Sequence, residues 1–211
     1  NKEVIFDVQF ESGVNGNSEG SRAFQKFSPS GTVSGAVGHN LPTKEVYGLF
    51  ADNDKRKSAY FIVTKNGVIG TGKLKQTSVT VADGGSNIIV LRYADVLLML
   101  AECYAEKNNM PKSNEYLNYI KKRAGIDEVS LGDATLIKEE IALERRKELV
   151  NEGHRWFDLV RTGKAVEVMN AYFVRTPGYN GITISELNYV QPIPQGQIDT
   201  DSATKQNEGY N

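Results

Sequence analysis

The most constraining feature of this sequence is a long central stretch that is poor in helix-breaking residues. Residues 87–171 contain four of the twenty glycines and one of the six prolines. Residues 1–86 contain twelve glycines, and residues 172–211 contain four glycines and three prolines. Because Gly and Pro disfavour helix interiors, the pattern predicts a mainly α fold, with a helical centre between two irregular segments.

The central stretch divides into helices by its local signals. Residues 87–107 are apolar nearly all round, which predicts one buried helix. A second helix follows, with Pro111 in its first turn and Gly125 just past its end. A third begins near Asp133, a good N-cap residue. The first two form a helical hairpin, the unit from which helical-repeat arrays are stacked.

The flanks show short β signals and a long polar stretch. Residues 4–10 alternate as a strand does, and residues 58–64 and 68–74 enclose Asn66-Gly67, a strong hairpin signal. We therefore divide the chain into three parts that form one structural unit. Residues 1–86 are a loop-rich, ligand-binding part with a strand and a β-hairpin, residues 87–171 are a helical scaffold, and residues 172–211 are an irregular segment packing on that scaffold.

Composition excludes several classes of function. Twenty-five basic and 26 acidic residues give a net charge of −1, which offers a nucleic acid no basic surface. The apolar run at residues 96–101 is too short to span a bilayer. Cys103 is the sole cysteine, so it excludes an internal disulfide, and its place in the apolar helix predicts a core residue. With only two histidines, we expect no metal site and no cofactor.

Arg145 breaks the apolar pattern of the third helix. It lies four residues from both Ile141 and Leu149, hence on the apolar face. A buried guanidinium must be paired, because an unpaired buried charge costs several kcal/mol. We predict a structural ion network that clamps the helices and is not catalytic; its members are Arg145, Asp95, Glu102 and Asp158.

Two pairs of carboxylates are weaker candidates for chemistry. Glu144 and Glu148 are four residues apart, a spacing that an acid/base pair of a glycosidase could use. Helix surfaces carry many such pairs, however, and no metal-ligating His accompanies this one. Asp52 and Asp54 lack the rest of a calcium loop, which predicts a solvated turn. We therefore predict no catalytic residues and no enzyme activity.

Seven segments of the chain, which follow one another in the family's order, resemble segments of the SusD/RagB family. The strongest is residues 141–149 (IALERRKEL) followed by residues 152–163 (EGHRWFDLVRTG). Residues 92–102 (RYADVLLMLAE) and 117–125 (LNYIKKRAG) are similar to two helices of the family. The turn at 52–56 (DNDKR), and the closing segments 192–194 (PIP) and 206–210 (QNEGY), also match. Seven matches in the family's order are far more specific than any one alone.

The resemblance implies a fold and a function. It implies tetratricopeptide-like helical hairpins packed against an irregular, ligand-binding part. It also implies a lipoprotein on the outer face of a bacterial outer membrane, which binds oligosaccharide or polysaccharide, or sometimes peptide, and caps a SusC-like TonB-dependent transporter. The family's lipidated N-terminal cysteine and its earlier helix pairs are absent from this sequence. We therefore expect the chain to match the C-terminal portion of such a protein.

A glycan-binding site requires aromatic rings beside polar side chains, which are best carried on loops. The polar stretch at residues 11–42 fits best, and its candidate residues are Phe24, Phe27, His39 and Asn40. A second group in the last segment comprises Tyr172, Phe173, Tyr179 and Tyr189. The sequence thus predicts a cell-surface glycan-binding component of a nutrient-uptake complex. The alternative is a helical-repeat module that binds a peptide or protein.

Overall fold

The structure is a computed structural model that describes residues 3–13, 19–74 and 80–210. The helices are α1 (Ala23–Phe27), α2 (Lys44–Gly48), α3 (Lys55–Tyr60), α4 (Tyr93–Glu106), α5 (Met110–Ala124), α6 (Ala134–Glu148), α7 (His154–Arg161), α8 (Ala165–Arg175) and α9 (Gln195–Thr200), with a 3₁₀ helix at Glu186–Tyr189. The strands are β1 (Val4–Val8), β2 (Phe61–Val63), β3 (Ile69–Thr71) and β4 (Ile88–Arg92). The mainly helical fold with a small β-hairpin is as predicted.

The chain divides into two compact units, Asn1–His154 and Arg155–Asn211. The first unit carries all the strands and the helices from α1 to α6. The boundary lies at the start of α7, inside the predicted scaffold 87–171 and away from the composition changes near residues 86 and 171. The three-part division therefore stays a prediction drawn from composition.

The core of the first unit lies between α4, α5 and α6. Leu98 and Leu117 have no exposed surface, and Ile137 of α6 closes the same cluster. Small residues on α4 let the backbones approach, and Ser113 Oγ donates a 2.7 Å hydrogen bond to the carbonyl of Ala101. Burying each Leu side chain contributes roughly 1.5–3 kcal/mol. The helical hairpin of α4 and α5 is therefore a packed unit, as predicted.

The helix ends carry caps, two of which, Gly125 and Asp133, are the predicted ones. Asn109 caps α5 through its side chain, and Asp133 accepts from two backbone N–H groups of α6 at 2.8 and 2.9 Å. Gly125 ends α5 with φ at +76°, a conformation that costs a residue with a Cβ. These caps satisfy backbone groups that a helix leaves unpaired.

The structure corrects the first predicted helix. Residues 88–92 form strand β4, antiparallel to β1, and helix α4 begins only at Tyr93. The sequence did not indicate this change from strand to helix, because a short apolar run is compatible with either element. Cys103 is also misplaced by the prediction, since it is exposed on α4 and not in the core. By contrast, β2 and β3 pair as predicted, with Gly67 at φ +74° in their turn.

The second unit contains hydrogen bonds between side chains and backbone, and contacts between aromatic rings. Gln206 makes two hydrogen bonds with the backbone of Ile193, at 2.8 and 2.9 Å. Trp156 of α7 meets Tyr189 edge to face, with ring centroids 6.2 Å apart. In the described part of the chain, none of the helices has both the length and the apolar character that a membrane span needs.

Candidate functional site

Residues 14–18 of the predicted sugar-binding stretch lie outside the described residues, and residues 37–40 of that stretch run beside α1. The N–H of Val37 donates to the carbonyl of Gln25 and the N–H of Asn40 to that of Lys26, both at 3.1 Å. His39 is exposed, and its Nδ1 lies 3.4 Å from Lys26 Nζ. Asn40 is also exposed. His39 and Asn40 therefore stand beside the last turn of α1 and present polar groups to solvent.

The two predicted phenylalanines lie three residues apart on α1 and are both half-buried. Phe24 follows the bridge between Ser21 and Gly84, whose backbones exchange two hydrogen bonds of 2.7 and 3.0 Å. Phe27 lines a cavity of about 500 Å³, and Phe24, His39 and Asn40 do not. The four candidates thus belong to one local segment, and Phe27 is the one among them that lines this cavity.

The lining of the cavity combines apolar residues with charged and polar ones. We call its charged residues the cavity floor. The apolar members of the lining are Phe27, Ala59, Tyr60, Leu74, Ile88 and Ile89. Its polar members are Glu3, Lys73, Asn87, Arg92, Arg123, Asn151 and Glu152. The volume lies in the range of small-molecule sites.

The charges on the cavity floor are paired with one another. Arg92 Nε lies 2.7 Å from Glu152, and its Nη1 lies 2.6 Å from the Glu148 carboxylate below the floor. Lys73 Nζ contacts Glu152 and donates at 2.7 Å to the backbone carbonyl of Glu148. Arg123 also contacts the Glu148 carboxylate. With Glu148 counted, three acids face three bases, which favours a neutral ligand over an ion.

The network continues into the interior through Glu144 and Glu148, whose side chains have no exposed surface. Arg56 bonds Asp54 with two nitrogens, at 2.8 and 2.9 Å, and reaches Glu148 at 2.9 Å. It also contacts Glu144. Asp54 is 2% exposed, so the predicted solvated turn is wrong at that residue, although Asp52 is fully exposed. The pair Glu144 and Glu148 is buried structure and offers no surface to a substrate.

The ionisation of these groups follows from their neighbours. Burial by itself raises the pKa of Glu148, but Arg92 and Arg123 outweigh it and hold that pKa far below its ordinary value. Burial lowers the pKa of Lys73 to about 8, against its pairing with Glu152. Burial also raises the pKa of Tyr60, whose hydroxyl donates to Glu148 at 3.1 Å. Glu148 is therefore a fixed anion and not a proton donor.

Of the four residues predicted to form an ion network, Arg145 and Asp95 lie together as an ion pair. Arg145 Nη1 lies 2.6 Å from Asp95 Oδ1, and both side chains are at least nine-tenths buried. Glu102 is half-buried on α4. Asp158 belongs to the second unit, where it pairs with Arg161 at 2.9 Å. Among the described residues no cluster of His, Cys, Asp or Glu has the form of a metal site.

Sequence reasoning missed the larger network, whose bases are Arg56, Lys73, Arg92 and Arg123. A signal was present, because Glu144, Glu148 and Glu152 recur every four residues along one line that runs past the end of α6. Their partners come from α3, from the segment after β3, from β4 and from α5, far away in sequence. No spacing rule connects residues 56 and 148 before the fold is known.

The chain is similar to known proteins along most of its length. The model of the SusD family matches residues 51–210. SusD-like protein P38 of Formosa agariphila is 32% identical over 139 residues, which are 62% of this chain and 28% of that protein. SusD-like protein P25 of the same organism is 27% identical over 195 residues, 86% of this chain and 36% of that protein.

Solved structures show the same relationship. A SusD superfamily protein from Parabacteroides distasonis has a TM-score of 0.80 and 25% identity, covering 99% of this chain and 50% of that one. Surface glycan-binding protein A from Bacteroides thetaiotaomicron, in complex with laminarihexaose, has a TM-score of 0.74 and 27% identity, covering 97% and 52%. The chain thus spans about half the length of these structures. The family match covers most of the residues, and the chain belongs to the SusD family.

Proposed function

We propose that this chain is a glycan-binding module that acts at the surface of a bacterial outer membrane and is not an enzyme. In that role it hands oligosaccharide to a SusC-like TonB-dependent transporter. The observation that carries the proposal is the likeness to a surface glycan-binding protein in complex with laminarihexaose. The family match over residues 51–210 supports the same assignment.

The chemistry of the first unit suits a neutral sugar. A sugar ring has an apolar C–H face that stacks on aromatic rings and a fringe of hydroxyls that hydrogen-bonds polar groups. Phe27 offers an aromatic surface to the cavity, and His39 and Asn40 stand exposed beside the same helix. The paired charges of the cavity floor leave no uncompensated charge to attract an ion. We place the first contact with glycan at Phe24, Phe27, His39 and Asn40.

The buried carboxylates argue against hydrolysis. A glycosidase needs two carboxyl groups that reach the scissile bond, one of which must carry a proton. Glu144 and Glu148 have no exposed surface, and the surrounding arginines keep Glu148 ionised. A binding role needs neither acid nor base.

A second candidate function is capture of an extended peptide, and one observation favours it. Asn118 and Asn114, one turn apart on α5, each make two hydrogen bonds with backbone groups of the extended segment after that helix. Asn118 bonds Val129 at 2.7 and 2.9 Å, and Asn114 bonds Leu131 at 2.8 and 2.9 Å. A helical surface that holds its own chain in this way has the chemistry to hold another.

The test is isothermal titration of the chain with laminarihexaose, cellohexaose, maltohexaose and xylohexaose. We expect one of them to bind, and Phe27→Ala to weaken that binding about tenfold, or roughly 1.4 kcal/mol. Tyr119→Ala is the matched control, since this tyrosine of α5 is 64% exposed and lies outside the cavity. If the folded chain binds none of the four sugars but binds an extended peptide, the second function replaces the first.

A further inference from the structure

The second unit contains a cluster of aromatic rings that the site above does not use. Tyr172 and Phe173 end helix α8, and Tyr179 lies in the loop that follows. The ring of Phe173 stacks on that of Tyr179 with centroids 5.4 Å apart and planes 20° apart. Tyr172 lies 5.9 Å from Tyr179 and 6.0 Å from Phe173. These three residues form what we name the aromatic platform.

The platform is not a buried core. The buried apolar residues of the described part of the second unit are Leu159 and Ala165. Tyr179 keeps 40% of its surface exposed, and Tyr172 and Phe173 are only half-buried. None of the three rings is buried as fully as Leu159 and Ala165, which are at most 4% exposed. Here the rings contact one another and still face solvent.

A polar fringe surrounds the rings. Neither the Tyr172 hydroxyl nor the Tyr179 hydroxyl bonds another group in the described part of the chain, so both are available to a ligand. The guanidinium of Arg175 lies 5.4 Å from the centroid of the Tyr172 ring and covers part of that ring. An aromatic surface with hydroxyls at its edge offers both kinds of contact that a sugar ring makes.

The loop that carries the platform is fixed at both ends. The side chain of Asn170 makes two hydrogen bonds with the backbone of Ile184, at 2.8 and 3.0 Å. Gly178 and Gly181 turn the chain at φ +92° and +82°, where a side chain would strain it. A preformed loop loses little conformational entropy on binding, which favours recognition by rings already in place.

We propose that the aromatic platform is a second carbohydrate-binding site, which stacks a neutral pyranose ring of a glycan on Tyr179 and Tyr172. This inference rests on the proposed function, since it takes the same class of ligand. It adds a contact that lies in the second unit and apart from Phe27. A polysaccharide that binds this site gains contacts that the first site does not supply.

The test is affinity electrophoresis of the chain in gels that contain laminarin, amylopectin, xyloglucan or galactomannan. The variants are Tyr172→Ala, Tyr179→Ala and the double change, with Tyr119→Ala as the exposed-tyrosine control. We expect one polysaccharide to retard the unchanged chain, and the double variant to bind that polysaccharide at least about tenfold more weakly. Tyr179→Phe, which keeps the ring, should retain more binding than Tyr179→Ala. Far-ultraviolet circular dichroism establishes that each variant is folded.

A second measurement needs no variant. Tyrosine nitration, mapped by mass spectrometry, should be suppressed at Tyr172 and Tyr179 by the polysaccharide that binds, and unchanged at Tyr119. If the chain is retarded but the platform variants bind as well as the unchanged chain and nitration is not suppressed, the platform proposal is wrong and the proposed function stands. If no polysaccharide retards the folded chain, both are wrong.

Discussion

At the scale of single residues, Glu148 holds the largest share of the buried network. Its carboxylate accepts hydrogen bonds from Arg56, Arg92, Arg123 and Tyr60, and it has no exposed surface. A carboxylate in that position is tolerable only while all its partners are present, because desolvation of an isolated charge is costly. The side chain therefore ties together α3, β4, α5 and α6 through one anion.

We predict that Glu148→Gln lowers the free energy of unfolding by about 3–5 kcal/mol, as expected when one partner of a buried ion network is removed. Urea denaturation measures the change. Glu139→Gln is the matched control, because Glu139 lies on the same helix and is exposed; we expect a change within about 0.5 kcal/mol. Equal effects of the two substitutions would contradict the assigned role of Glu148.

The same residue predicts a pH dependence. The pKa of Glu148 is lower in the folded chain than the ordinary value of about 4.3 that it has when unfolded. The unfolded chain therefore binds more protons in acid, so the contribution of Glu148 is complete above about pH 4.3 and is lost as the pH falls toward the folded pKa. We expect urea midpoints between pH 7 and pH 3 to fall less steeply for Glu148→Gln than for the unchanged chain. Parallel curves would refute this assignment.

At the scale of elements, α5 holds the segment after it through a regular pair of asparagines. We name Asn114 and Asn118 the asparagine clamp. Their side chains accept hydrogen bonds from the N–H groups of Leu131 and Val129, whereas Ser130, between these two residues, is exposed. Each hydrogen bond contributes about 1 kcal/mol, so the four bonds can hold a short segment that buries little surface.

Hydrogen exchange tests this clamp. We predict that the amides of Val129 and Leu131 exchange slowly and the amide of Ser130 fast. Asn118→Ala should accelerate exchange at Val129 by about tenfold or more, the equivalent of roughly 1.4 kcal/mol. Lys122→Ala, an exposed change on the same helix, should leave all three rates unaltered. Exchange at Val129 as fast as at Ser130 in the unchanged chain would show that the clamp does not form in solution.

Local signals predicted most helix ends but not every change of element. Gly125 and Asp133 mark the end of α5 and the start of α6, because capping depends on residues within one turn. Strand β4 escaped prediction because its partner, β1, lies more than 80 residues earlier. An apolar run that pairs with a distant strand carries no local sign of that partner.

Charged residues show the same limit. The sequence predicted a buried ion pair at Arg145, because this residue interrupts an apolar stripe. Its partner Asp95 lies on a neighbouring helix. Arg56 interrupts no stripe, since α3 has only six residues. Its burial results from packing against α6, which the sequence of α3 does not encode. Similarly, the clustering of Tyr172, Phe173 and Tyr179 depends on a loop whose path local rules do not give.

At the scale of the whole molecule, the helices and the binding surfaces have separate tasks. The buried ions and the α4–α6 core supply rigidity, and the residues that we propose to bind ligand lie on α1, on the loop after it and on the aromatic platform. Loops on a rigid support are where binding residues concentrate in general. This division of labour explains why the family motifs of the helices, such as residues 141–149, bring structural side chains together.

The most direct test of this division is a titration of the ¹⁵N-labelled chain with each of the four hexasaccharides named above, followed through the backbone amides by NMR. We predict saturable shifts at residues 23–40 and 170–184, with amides inside α4, α5 and α6 unchanged. The same titration with inositol, a polyol without a glycosidic chain, should shift none of them. Shifts centred on the α4–α6 core, or no shifts at all from a folded chain, would contradict glycan binding by loops on an inert helical scaffold.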